Sequence, residues 1–173
     1  MASKNFVRDK DGVAAVEFGL ILPILVALLL GSVAAFTAFK TYRATSHSAN
    51  ITVDLLSRQA VLDDATRDTL FAAARALVAG FSDDDQFGVT IASIVNTPGG
   101  LEVGWSEADG TGTVITDANL ALIDLPVIPE SESVVFIRIT NGFTPAIGGS
   151  LNFTRESLRR PRFVASIAYD DGS

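Results

Sequence analysis

From Phe18 to Phe39 the chain runs 22 residues without a charge, and this run decides what the rest can fold into. As a helix it rises about 33 Å at roughly 1.5 Å per residue, enough to cross a hydrocarbon core of about 30 Å. A helix lying on a soluble domain would show a polar face. This one is apolar all round, so it needs either a deep protein core or lipid about it. The rest of the chain is too small to wrap so long a helix. Pro23 and Gly31 lie inside the run, and membrane helices tolerate both better than soluble helices do. A transmembrane helix is therefore expected over 13–39. The competing reading is a cleaved secretory signal, whose apolar core is about 7–15 residues long. The run is longer than that, although Ser32-Val33-Ala34 and Ala34-Ala35-Phe36 have the small residues of a cleavage site.

The flanks carry the orientation. Lys4, Arg8 and Lys10 precede the run, and Lys40 and Arg43 follow it. The slight basic excess favours the N-terminus inside and residues 40–173 outside. One carboxylate, Glu17, stands at the mouth of the run, five residues past Gly12. An acid at the edge of a membrane span is costly, which makes Glu17 a functional candidate. The plain alternative is an acid at headgroup level in the first helical turn, where the helix dipole favours it.

A short polar leader ending in Gly12, then Val13 to Val16, then Glu17-Phe18 and an apolar helix resembles the class III signal of type IV pilins. More narrowly, Ala14 to Gly31, with its Glu-Phe pair and Pro23, is similar to the TadE/TadG-like proteins of bacterial Tad (Flp, type IVc) pilus systems, which are pseudopilins or minor pilins. The similarity covers about residues 8–40, with weaker echoes at Trp105-Ser106 and Arg160-Pro161-Arg162. It implies a leader over 1–12 removed by a prepilin peptidase between Gly12 and Val13. Glu17 and Phe18 would then set subunit register and assembly, the glutamate meeting the new α-amine of a neighbour. It further implies residence in the bacterial inner membrane, the N-terminus cytoplasmic and the C-terminal domain periplasmic. Implied partners are other pilins or pseudopilins and the pilus assembly platform, and the implied role is biogenesis or priming of a pilus used for adhesion. Val13 stands where major type IV pilins often carry Phe, so N-methylation is not expected. The alternative is an uncleaved, single-span membrane-anchored periplasmic scaffold or binding module.

Beyond the run, residues 37–59 contain no Pro or Gly, and Ala44, His47 or Ser48, Ile51, Leu55 and Leu56 recur at three- and four-residue steps. One helix is expected from about Ala14 to about Ala60, its part over 40–60 forming a stalk; the alternative is a break near Thr45–Ser48. A second helix opens at Asp63 or Asp64 and stops at Gly80, with Leu70, Phe71, Ala74, Leu77, Val78 and Phe81 on its apolar side. From Gly88 the period shifts towards two. Strands are expected over Val89–Val95, Leu101–Trp105, Val134–Thr140, Leu151–Thr154 and Phe163–Tyr169, with Asp109-Gly110 turning the second into Thr113–Thr116. Residues 117–123 read as a short helix or turn. The class is α+β: a long N-terminal helix, an amphipathic helix and a small antiparallel sheet, with 61–173 as one pilin-like domain.

A net charge of −7 argues against a nucleic-acid partner, whose phosphates demand clustered cations. Arg159, Arg160 and Arg162, with Arg155, form a local basic cluster. It reads as a solvated face paired with Glu130, Glu132 or Asp170, or as a docking patch for an acidic partner subunit. No catalytic residue is expected: the single histidine, His47, lies on a helix, and no nucleophile elbow, phosphate loop or cofactor motif is present. No cofactor and no metal is expected. Asp83-Asp84-Asp85 lacks the spaced ligands of a calcium loop and reads as a solvated turn. The absence of cysteine excludes a disulfide scaffold.

Overall fold

A computed structural model describes residues 10–81, 84–145 and 149–170. Helix α1 (Lys10–Leu56) is one unbroken element of 47 residues containing Pro23, about 70 Å long at roughly 1.5 Å per residue. No break occurs near Thr45–Ser48. The helix ends four residues before the expected Ala60. There Arg58 and Gln59 switch to short-turn bonds to the carbonyls of Leu55 and Leu56, and the Ser57 hydroxyl donates to the carbonyl of Asp54.

The face that α1 buries differs from the expected stripe. Leu55 is exposed and Ala44 and Ile51 are half-buried, whereas Thr41, Thr45, Ser48, Ala49, Thr52, Val53, Leu56 and Ser57 are buried. The buried face is turned by about one residue, near 100°, from the expected one. All but Thr52 of its hydroxyl residues find partners without a water face. The Thr45 hydroxyl donates to the Thr41 carbonyl (2.9 Å), that of Thr41 to Thr37 (3.1 Å), and that of Ser48 crosses to Ala74 (2.9 Å). Small side chains that satisfy themselves this way let the helix approach its neighbours closely.

A short strand β1 (Val61–Asp63) leads into α2 (Asp64–Val78), which runs back beside α1. Asp63 caps α2, accepting from the amide of Thr66 at 2.8 Å, and Gly80 follows its end at φ +80°. As expected, α2 buries Leu70, Phe71, Ala74 and Val78; Leu77 is half-buried and Phe81 exposed.

Strands β2 (Gly88–Thr97), β3 (Gly100–Gly110), β4 (Ser133–Phe143) and β5 (Leu151–Arg159) form an antiparallel sheet in the order β3-β2-β4-β5. Three strand expectations are corrected. The hairpin turn lies at Pro98-Gly99, with Gly100 at φ +117°, so β3 reaches Gly110 instead of turning there, and 113–116 is not a strand. Strand β5 continues five residues past Thr154, held along β4 to Arg159. The last strand shrinks to β6 (Ala168–Asp170), which pairs in parallel with β1, a strand not expected from sequence.

The sheet is covered on both faces. Val89, Ile91, Val135, Ile137 and Ile139 pack under α1 and α2 with Val53, Leu56, Leu70 and Phe71. Ala92, Ile94, Val134 and Phe136 point the other way, under Ile115, Leu120, Ile123 and Ile128 of the long β3–β4 connection. That connection contains a 3-10 turn at Asp117–Leu122, where the sequence indicates a short helix or turn. Double coverage explains why residues 88–94 are all buried rather than alternating.

Candidate assembly and membrane site

Gly12, Val13, Glu17 and Phe18 all lie on α1 and are all exposed, Val13 at 61% and Phe18 at 60%. Residues 1–9 of the expected leader lie outside the described residues. Gly12 and Val13 lie in the first described turn of α1. Gly12 has the lowest helix propensity after proline, which weakens the helix at the Gly12–Val13 peptide. Val13 and Glu17 are four residues apart and share one helix face.

From Gly12 to Ser32 every residue of α1 is exposed among the described residues. Leu20, Ile24 and Leu28 are 67–70% exposed, and the helix is long and apolar enough to cross a membrane. An apolar surface of this size is a membrane or protein contact, not a water-facing one. Among the described residues the head meets the run towards its end, where Phe143, Thr144 and Pro145 close a cleft of about 260 Å³ against Leu30, Val33, Ala34 and Thr37. One turn further on, Tyr42 stacks edge-on against Phe153 with ring centroids 6.2 Å apart, and the Arg155 guanidinium lies 4.1 Å over the Tyr42 ring.

The arginine cluster is largely tied into the head. Arg160 pairs with Glu132 at 3.1 Å and donates to the Val127 carbonyl. Arg162 pairs with Asp54 of α1 at 2.6 Å, and its amide donates to the Ser57 carbonyl at 2.8 Å, fastening the C-terminal segment to the end of the stalk. Arg58 holds Asp54 as well, at 2.6 Å, and with Arg162 it keeps that carboxyl below its usual range. Arg159 is exposed. The Arg162–Asp54 pair joins residues 108 positions apart, and no spacing in the chain announces it. Trp105 and Ser106 are likewise structural: the indole N–H donates to the Ile167 carbonyl, and the hydroxyl bridges Ile91 and Ile115. His47 is exposed on α1. Of the acidic turn, Asp83 lies outside the described residues, and a 3-10 turn begins at Asp84.

The described residues thus join an exposed apolar N-terminal helix, long and apolar enough to cross a membrane, without a break to the packing face of a small α+β head. Residues 12–53 match the family model of the TadE-like proteins, which covers α1 from the expected cleavage position to three residues before the helix ends. Neither the curated proteins nor the solved structures give a match. The match is to the family that Gly12, Glu17-Phe18 and Pro23 point to, and it covers the N-terminal helix alone.

Proposed function

We propose that this protein is a TadE-like pseudopilin, or minor pilin, which a prepilin peptidase cleaves after Gly12 and which takes part in building or priming a Tad pilus. In this reading it spans the inner membrane once, with the N-terminus cytoplasmic and the head periplasmic, and it carries out no chemistry of its own. The observation that carries the reading is the coincidence of the TadE-like match with a helix whose first 21 matched residues, 12–32, are all exposed. Such a helix is complete only inside lipid or among other helices.

Cleavage would leave an α-ammonium on Val13, one helical turn from Glu17. Either charge alone is expensive in a bilayer, and pairing the amine of one subunit with the glutamate of the next offsets much of that cost. A pair of this kind fixes the stagger between neighbouring helices. Glu17→Ala should leave processing intact and reduce pilus output by about tenfold or more, the effect of losing roughly 1.4 kcal/mol or more per contact. Output is read by shearing the cells and quantifying the pilin released. Wild-type output from Glu17→Ala would contradict the register role.

A further inference from the structure

We infer that the groove between α1 and the end of α2 binds the phosphate headgroup of an anionic phospholipid. The inference rests on the reading of α1 as membrane-spanning. Where the uncharged run ends, Lys40, Arg43 and His47 of α1 line an open groove of about 530 Å³ together with Phe36 and Phe39, and Leu77 of α2 and Phe81 just past its end border it. The Lys40 ammonium lies 4.8 Å from the Phe36 ring and the Arg43 guanidinium 5.8 Å from the Phe39 ring, each pair one helical turn apart. Among the described residues, neither cation forms an ion pair, whereas Arg58, Arg67, Arg75, Arg138, Arg160 and Arg162 all do.

Depth and charge select the occupant. Phe36 and Phe39 belong to the apolar run and Lys40 is the first charge after it, so the groove begins in acyl chains and ends among headgroups. Aromatic rings followed by cations are the side chains that settle at this level. Two cations facing outward on a chain of net charge −7 are not there for general solubility. They complement a phosphodiester, while the phenyl rings and Leu77 lie against the first methylenes below it.

The test uses the full chain extracted in mild detergent, mixed with equal amounts of phosphatidylglycerol and phosphatidylcholine, and reads retained lipid by native mass spectrometry. Wild type should hold phosphatidylglycerol in preference. Lys40→Gln with Arg43→Gln should lower that retention by about tenfold to thirtyfold, the effect of two basic residues at a lipid surface. Lys40→Arg with Arg43→Lys should keep it, and so should Arg58→Gln, which removes a cation just past the far end of α1. Equal retention of both lipids by wild type, or unchanged retention by the double Gln variant, would overturn the inference. So would a dimer whose cross-links through the groove exclude lipid, since a second copy would then be the occupant. Flotation of wild type with vesicles separates the two levels: a chain that floats without lipid preference loses only the groove, and one that does not float loses the membrane reading too.

Discussion

Thr52 shows how the stalk is built at the scale of single residues. It is fully buried between α1 and the sheet, yet its hydroxyl has no hydrogen-bond partner among the described residues. A hydroxyl in that position costs about 1–3 kcal/mol of desolvation, and a methyl of the same shape removes the cost. Thr52→Val should therefore raise the stability of the head by about 1 kcal/mol, seen as a higher midpoint in thermal melts in detergent. An unchanged or lower midpoint would mean that the hydroxyl has a partner after all. Its neighbour Thr45 differs, because that hydroxyl accepts from the Asn141 amide at 3.2 Å while donating to Thr41, and it ties α1 to β4. The sequence shows Thr and Ser at these positions but not their inward direction. Self-satisfied hydroxyls carry no polar or apolar label, and the apolar stripe through Ala44, Ile51 and Leu55 outweighs them in any periodicity reading.

Among the elements, the junction of β1, α2 and β6 depends most on pH. Asp63, the α2 cap, is held below its ordinary range by its hydrogen bond to Thr66. Its contribution is therefore present above the unfolded carboxyl value of about 3.9 and is lost as pH falls through the lower folded value. Tyr169 of β6 donates to Asp64 at 2.6 Å and accepts from Arg67 at 2.8 Å. The bond to Asp64, with burial and the nearby Glu107, pushes the phenol above its ordinary range. That contribution is present below the unfolded value of about 10 and is lost as pH rises through the higher folded one. The head should thus be most stable between about pH 4 and 10. Asp63→Ala should lower the midpoint at pH 7 by about 2–4 °C and flatten the acid side. Tyr169→Phe should flatten the alkaline side only. A stability curve unchanged by both would refute the assignment. The cap at Asp63 and the stop at Gly80 were legible in the sequence because caps are local. The β1–β6 pairing was not: each strand has three residues, and what holds them is the Trp105 bond to Ile167 and the Tyr169–Asp64–Arg67 network, contacts from distant parts of the chain.

For the whole molecule, one helix belongs to two environments. Its first half is bare over residues 12–32, and its second half, from Thr41, carries the buried face on which α2 and the sheet are built. The apolar run, the Gly12–Glu17 spacing and the α+β order were legible because they are properties of contiguous sequence. The fate of Arg160 and Arg162, and the convergence of Lys40 and Arg43 with Phe81, depend on how α1, α2 and the C-terminal segment come together. The i, i+4 pairing of Phe36 with Lys40 and Phe39 with Arg43 was the one trace of the groove in the sequence. A helix that must leave one environment for another while keeping its head folded suits a subunit drawn from a membrane into an assembly, and in the proposed reading removal of the leader at Gly12 would be the step that readies it. The most direct test is the N-terminal mass of the membrane-extracted protein from cells with and without the prepilin peptidase. A chain that begins at Val13 only when the peptidase is present is the predicted result; an intact leader in both strains, or a start near Phe36, would contradict the account.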